Sequence, residues 1–472
     1  MLPSVVHKKP RRGNFPRPSS LYFGIFCLLF LVAIGNLTWK CVGPPDDGDP
    51  DHQICKLFNV VVAGDEIYYI SDEPEQLPKI DITWLHIYDQ MKYLRIKVRR
   101  PSELPFDIMS TEVERVKYGV FWFFGSADNY SHDITEYGPA IHSLLCRLLN
   151  ICMYDKASPL RIFRINQDQL PTDQGIFPPA FREAMQCFSS HPVHKLGDAA
   201  HKDKVVLVET GLAGVGEDCR AFHWCSPQWN RKPMQHDMMR SYQQRLADCT
   251  GWDIDAVAPY DPPIITIIDR RLTSQRHILN IDNVLAHFKQ RFAGAHVTVL
   301  YAEDMGLLGQ IQAASTSSVF IVMHGAALAN FIFLPQGAAG VHMVGDPQYP
   351  ALHNWAEDMV RDMPQHVQLV EYTNRQSAGI HLVGELVQQD PEFQRLSPEQ
   401  QQQLLEHGIC PKEPEDIFQH CRAVWLVKMA NFDINAHELG GVVQAGLNFV
   451  KEQHAKRAQL EQHISSASLH DV

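Results

Sequence analysis

The residues best placed to do chemistry lie in Val319 to Val344, VFIVMHGAALANFIFLPQGAAGVHMV. Val319 to Met323 is a short unbroken apolar run, as expected of a strand buried on both faces. His324-Gly325-Ala326 interrupts it, and Ala327 to Phe333 has the small and apolar residues of a packed helix. Pro335 and Gly337 end that helix, and Ala338 to Val344 reads as the next buried strand. A glycine at a strand-to-helix turn lets a ligand approach the backbone, and the N–H groups of the helix start can hold an anion, typically a phosphate. A tight turn with a satisfied core histidine is the plainer reading of the same residues.

Two further clusters are chemically capable. Ile264 to Ile268 predicts a buried strand, followed by Asp269-Arg270-Arg271, a polar loop from Leu272 to Gln275, then Arg276 and a helix over Ile278 to Phe292. Two arginines beyond a strand end suit a diphosphate. Reading them as solvated helix-start charges is weaker, because cations are unfavourable at helix N-termini. In the first half, Asn129, His132 and Glu136 follow the apolar run Val120 to Phe124. Their three- and four-residue spacing lets them share a face. A histidine with a carboxylate can orient and deprotonate a hydroxyl, whereas an Asx turn capping the helix Pro139 to Asn150 would be purely structural. Cys219, His223 and Cys225 lack the second ligand pair that a zinc site needs.

The elements that must position these groups follow from the alternation of patterns. Strands at Ile264 to Ile268, Val297 to Tyr301 and Val319 to Met323 alternate with helices at Ile278 to Phe292 and Gly306 to Ser315, which argues for a parallel, doubly wound sheet. Upstream, Phe58 to Ala63, Ile67 to Ile70, Ile80 to Tyr88, Tyr93 to Val98, Leu160 to Asn166 and Lys204 to Glu209 predict strands, and Met234 to Asp248 a helix. GWDIDAVAPYDPP, residues 251–263, is the best linker. Past Pro350 the pattern predicts a strand at Val424 to Met429 and a long terminal helix from Ala436 to Gln462.

The 472 residues, 45% hydrophobic, provide for two domains of ordinary size. A formal net charge of −12 argues against a nucleic-acid binder driven by counterion release. Lys8, Lys9, Arg11, Arg12 and Arg17 precede the charge-free stretch Leu21 to Leu37. Extended to Trp39, that stretch makes a helix of roughly 28 Å, close to the bilayer core. The basic flank places the N-terminus in the cytosol, and no small-residue cleavage site marks a removed signal peptide. An acidic, Pro/Gly-rich stalk follows, and in an oxidising lumen some of the eleven cysteines should pair.

The segment Gln310, His324, Gly325, Ala326, Leu328, Asn330, Phe333, Pro335 and Gly337 resembles the C-terminal signature of glycosyltransferase family 61. The same family shows an arginine, a short loop and Arg-x-x-x-Asn, matched by Arg270, Arg276 and Asn280. Its Asn-x-x-His-x-x-x-Asp is matched by Asn129 and His132, with Glu136 in place of Asp. Gly309 and Ala327 also depart from the pattern. The resemblance runs from about Phe121 to Gly345.

It implies an α/β, GT-B-like fold in which two Rossmann-type doubly wound domains face a cleft, after an N-terminal transmembrane helix. The division is a cytosolic tail (residues 1–20), an anchor (21–39), a stalk (40–54), an acceptor-side domain (55–255) and a nucleotide-sugar domain (262–460). The implied activity is inverting transfer of a sugar from a UDP-sugar to a glycan or glycoprotein hydroxyl. Xylose is favoured over N-acetylglucosamine or arabinose. His132, Glu136 and Asn129 are the candidate catalytic residues. Arg270, Arg276, Asn280, Gln310, His324, Gly325, Ala326 and Asn330 are the candidate donor-binding residues. Asp253-Ile254-Asp255 spells a triplet that some glycosyltransferases use for a metal, but in a Pro-rich linker it reads as solvated acid, so no metal or other cofactor is expected. The expected setting is the Golgi or ER membrane, single-pass type II, with the catalytic part lumenal. The alternative class is a lumenal nucleotide-sugar or glycan binder without catalysis.

Overall fold

The computed structural model describes residues 39–42, 54–76, 80–85, 91–106, 111–122, 131, 133–164, 179–195, 204–214, 236–271, 275–344, 356, 363, 366–374, 379–412 and 414–468. They form an α/β structure with two principal sheets. The first contains β1 (Trp39–Val42), β2 (Ile54–Ala63), β3 (Glu66–Ile70), β4 (Ile80–Leu85), β5 (Met91–Arg99), β6 (Glu112–Trp122), β7 (Leu160–Arg164), β8 (His194–Lys195) and β9 (Lys204–Gly214). Its order is β4-β5-β3-β2-β9-β6-β7-β8, with β1 paired to β2. It is parallel across β9, β6, β7 and β8 and antiparallel at β2–β9, β2–β3 and β4–β5. Thus only part of this sheet has the parallel pairing of a doubly wound domain.

The expected anchor lies outside the described residues except for Trp39. That residue and Lys40 to Val42 pair antiparallel with Ile54 to Leu57, placing Cys41 opposite Cys55. The end of the expected anchor and both ends of the expected stalk are therefore strand. Cross-strand pairing holds the two ends of a segment whose composition alone suggests a linker. Among the described residues no helix is long and apolar enough to cross a membrane.

The helices flanking the first sheet are α1 (Gly138–Leu144), α2 (Pro179–Gln186) and α3 (His236–Thr250). Disulfides join Cys146 to Cys152 and Cys187 to Cys249, and a third joins Cys410 to Cys421. Arg245, fully buried on α3, ties this region together. It donates to the carbonyls of Ile151 at 2.6 Å, Cys152 at 3.3 Å and Cys187 at 3.3 Å. Its Nε also donates to His142 Nδ1 at 3.1 Å. An arginine only donates, so His142 carries its proton on Nε2 and gives it to Ser241 Oγ at 2.9 Å.

Burial, and then the charge of Arg245, depress the His142 pKa from 6.5 to about 3. Between those values the unfolded chain binds the extra proton. This contribution to stability is therefore intact above pH 6.5 and lost as pH falls, by about 1.4 kcal/mol per unit. Urea unfolding at pH 7 and pH 5 should show that His142→Gln removes roughly 2 kcal/mol of the acid destabilisation. An unchanged pH dependence would show that His142 protonates without cost in the fold.

The second sheet contains β10 (Ile264–Asp269), β11 (His296–Tyr301), β12 (Val319–Met323), β13 (Ala339–Val344) and β14 (Gln368–Thr373). All its pairings are parallel, in the order β11-β10-β12-β13-β14. Helices α4 (Ile281–Arg291), α5 (Leu307–Ser315) and α6 (Ala436–Ser468) accompany it, with a short antiparallel pair, β15 (Ile380–Leu382) and β16 (Ala430–Phe432). On one face Ile265, Ile267, Ile321 and Met343 pack with Val284 and Phe288 of α4 and Leu439 and Val443 of α6. On the other, Ile268, Phe320 and Val322 pack with Leu307 and Ile311 of α5 and with Leu328 and Phe331. Coverage on both faces explains the unbroken apolar runs in these strands.

The segment after Gly325 is 3-10 rather than α-helical over Ala326–Phe333. Val424 to Met429, expected as strand, is helical through Lys428, and the strand begins at Ala430. A short apolar run fits either structure when one face of a helix is buried against a core, here by Trp425 and Leu426. The two halves share a core. Trp252 of the linker packs edge-on against Phe333, with ring centroids 5.2 Å apart, and Gln243 Nε2 donates to the Ile332 carbonyl at 2.8 Å. Helix α6 lies along the second sheet and reaches the linker, where His454 Nε2 donates to the Ala258 carbonyl at 2.6 Å.

Candidate functional site

Counted from its own first strand, the second sheet runs 2-1-3-4-5. The strand order reverses between β10 and β12, and open parallel sheets bind ligands at the carboxyl ends of the strands at such a switch point. Here β10 delivers Asp269 and Arg270 to that edge, and β12 delivers His324, Gly325 and Ala326. A pocket of about 420 Å³ opens there, bordered by Asp269, Arg270, Arg276, Gln310 and Ala326 and, from the first half, by Ala180 of α2. That volume falls within the roughly 300–1,000 Å³ of small-ligand sites.

The loop after β10 is held by residues distant in sequence. Arg276 adopts φ +65, a left-handed conformation uncommon for a side chain of this size, and its N–H donates to the Ala430 carbonyl of β16 at 2.7 Å. The His277 N–H donates to Asn431 Oδ1 at 3.0 Å, and Ile278 N–H to Asp269 Oδ1 at 2.9 Å. His277 Nδ1 lies 2.7 Å from the Arg270 carbonyl and 2.9 Å from Asp269 Oδ2, both side chains essentially buried. Burial pushes the Asp269 carboxyl pKa up.

Gly325 is the point on which the two cations converge. Its φ of +149 suits glycine, and a Cβ there would lie 2.6 Å from Arg276 Nη1 and 3.4 Å from Arg270 Nη2. Arg276 Nη1 also donates to the His324 carbonyl at 3.4 Å. Burial, then the neighbouring charge of Arg270, pulls the Arg276 pKa down to about 9, so it remains a cation at neutral pH. Burial likewise lowers the Arg270 pKa, with the charges of Glu303 and Asp269 acting in the opposite sense. Among the described residues, the buried Arg276 Nε–H finds no acceptor. Two adjacent, largely desolvated guanidinium groups with a donor unmatched in this way suit an oxyanion, and a planar fork suits phosphate oxygens.

The other expected donor residues divide between pocket and scaffold. Gln310 borders the pocket and accepts at Oε1 from Asn330 Nδ2, 2.9 Å away, a buried pair that ties α5 to the 3-10 segment. Asn280 engages Ile434 with both ends of its amide, donating to the carbonyl at 2.8 Å and accepting from the N–H at 2.9 Å. It braces the loop rather than bordering the pocket. His324 Nδ1 lies 3.1 Å from His342 Nε2, and His342 Nδ1 lies 3.6 Å from Glu371 Oε1. Sequence reasoning missed His342, hidden in the apolar β13, and Glu371 on its strand neighbour. It also missed Lys428, whose pKa is lowered by burial and then by the charge of Arg276. Glu303 was missed too, although an acid directly beyond a predicted strand was a readable signal.

Asn129 and His132 lie outside the described residues. Glu136 belongs to a π-helical turn, Asp133–Tyr137, that leads into α1. Tyr242 Oη donates to the Ile134 carbonyl at 2.8 Å and so anchors this turn to α3. The turn packs against α2, which packs in turn against α5 beside the pocket. Glu183 of α2 accepts from the Leu307 N–H at 2.6 Å, capping α5 from the other half of the molecule. The linker acids are engaged elsewhere. Asp255 pairs with Arg240 at 2.5 Å, and Asp253 Oδ1 accepts from the Asp255 N–H at 3.0 Å. Among the described residues no group of three or more His, Cys, Asp or Glu is arranged to hold a metal.

No curated protein matches the chain in sequence. Among solved structures, rubredoxin oxygen:oxidoreductase from Desulfovibrio gigas aligns at 15% identity, covering 48% of this chain and 52% of that one, about half its length. With a TM-score of 0.17 this likeness carries no argument. Residues 131–341 match the family model described as Glycosyltransferase 61. That span contains both arginines, Gly325 and the turn bearing Glu136, and the match supports membership of the chain in glycosyltransferase family 61.

Proposed function

We propose that the chain is an inverting glycosyltransferase that moves a sugar from a UDP-linked donor to a hydroxyl of a glycan or glycoprotein, with xylose favoured over N-acetylglucosamine or arabinose. One observation carries the reading. Arg270 and Arg276 converge on Gly325 at the switch point of a parallel sheet, inside the segment that matches the family. In a direct displacement the acceptor oxygen attacks the anomeric carbon and loses its proton to a base. The bond from that carbon to the diphosphate breaks, and charge grows on the leaving phosphate. Arg270 and Arg276, with Lys428 behind them, stabilise that charge in a partly desolvated setting. His132 or Glu136, assisted by Asn129, supplies the base or orients it.

In this reading residues 262–460 hold the donor and residues 55–255 face the acceptor, as in a GT-B enzyme. The charge-free stretch 21–37 anchors the chain in the Golgi or ER membrane with its bulk in the lumen. The disulfides Cys146–Cys152, Cys187–Cys249 and Cys410–Cys421 support an oxidising compartment. The test is a screen of UDP-sugars for thermal stabilisation of the purified protein, then for hydrolysis and transfer, with and without EDTA. A UDP-sugar should stabilise the protein, and transfer should survive EDTA. Loss of transfer in EDTA, restored by manganese, would overturn metal independence. Binding without transfer across a broad acceptor panel would favour a non-catalytic binder.

A further inference from the structure

We infer that Glu183 is a positioning residue for sugar transfer: by capping α5 from the first half of the molecule, it sets the register in which α2, and the turn bearing Glu136 that packs on it, face the pocket. The inference rests on the transferase reading proposed above and adds the contact that would align its two halves.

Helix α5 cannot cap itself. Its N-cap residue is Gly306, whose backbone is extended (φ −72) and which has no side chain to accept from the N–H groups of the first turn. Nothing in that conformation requires glycine. Space does. A Cβ at this position would lie 2.7 Å from Glu183 Oε1 and 2.8 Å from Oε2, so the missing side chain is what admits the carboxylate. Glu183 Oε2 accepts from the Leu307 N–H at 2.6 Å, and its charge is favourable at a helix N-terminus.

The place of this contact gives it its role. Gly306 borders the pocket from the second half, and Ala180, one turn before Glu183 on the same face of α2, borders it from the first. Each helix is fixed separately to its own half. Helix α5 is held by Leu307 and Ile311 in the core and by the bond from Asn330 to Gln310. Helix α2 is held by Ala184 and Met185 in the core and by the Cys187–Cys249 disulfide just beyond its end. Apolar packing between the halves is non-directional, whereas a hydrogen bond from one N–H to one carboxylate specifies distance and angle. Loss of Glu183 should therefore leave the arginines and the pocket wall in place and release the alignment of α2 beside them.

The experiment compares Glu183→Ala, Glu183→Gln and Gly306→Ser, each in the full chain, for UDP affinity by calorimetric titration, for transfer rate and for thermal stability. Glu183→Ala should bind UDP within about threefold of wild type while transfer falls about ten- to a hundredfold, the scale of a small misplacement of reacting groups. Glu183→Gln keeps an acceptor oxygen and should retain most of the transfer. Gly306→Ser is the decisive variant, because its hydroxyl caps α5 from within while its Cβ displaces Glu183. It should be as stable as wild type yet as deficient in transfer as Glu183→Ala. Unchanged transfer in Glu183→Ala, or normal transfer in Gly306→Ser, overturns the positioning role, the second by showing that α5 needs only a cap. Loss of UDP affinity in step with transfer, or a Glu183→Gln variant as inactive as Glu183→Ala, overturns it too. In each of these cases transfer by the wild type leaves the transferase reading standing. Wild type that transfers no sugar overturns both, and that outcome is visible without any variant.

Discussion

Arg276→Ala should weaken UDP binding by about ten- to a hundredfold, the loss expected when a charge-assisted contact of roughly 1.5–3 kcal/mol is removed. Because Arg276 is a partly buried cation beside Arg270, alanine also relieves charge repulsion in the empty protein. The variant should therefore be no less stable thermally without ligand, while losing most of the stabilisation that UDP gives wild type. Gly325→Ala reaches the same result from the opposite side. Its methyl group would meet the Arg276 guanidinium at 2.6 Å, in a backbone conformation that L residues rarely adopt. Calorimetric titration with UDP measures both. Unchanged affinity in both variants would remove the arginine cradle as the diphosphate site.

His132→Ala should leave UDP affinity nearly unchanged while transfer falls by about a hundredfold or more, the range for loss of a general base. The separation follows from the sheets. The arginines belong to the second, whereas the turn with Glu136 follows β6 of the first and packs against α2, which borders the pocket. Glu136→Gln in the same assay assigns the base between the two, since retained transfer there leaves His132 as the candidate. A histidine with only a structural role would lower thermal stability, with activity falling in proportion. Equal effects on UDP binding from His132→Ala and Arg276→Ala would mean that the halves do not divide the work.

The parallel sheet was readable because strands covered on both faces write themselves as unbroken apolar runs, as in Ile264 to Ile268 and Val319 to Met323. Arg270, Arg276 and Gly325 were readable because each lies within a few residues of a strand end. The first sheet was less so, because its strands carry both parallel and antiparallel partners and strand pattern alone does not record direction. The long-range parts of the site left no local signal. Lys428 influences Arg276 across a fold that sequence spacing does not encode, and Glu371 meets His342 only as a strand neighbour. Asn280 lies beside the arginines in the loop, and its amide is matched to the backbone of Ile434, 154 residues away, a role that sequence spacing does not encode.

That bracing has a consequence for the order in which a newly made chain gains function. Arg276 holds its left-handed conformation through the Ala430 carbonyl, and the loop beyond it is secured at Asn431 and Ile434. A nascent polypeptide ending at Phe333 would already contain Arg270, Arg276, Gln310, Gly325 and Asn330, yet lack the strand that sets the loop. At about 5–20 residues per second, the ribosome needs several more seconds to supply it. Under the proposed function, nucleotide capture is thus a late event in biosynthesis that waits on docking of the C-terminal segment.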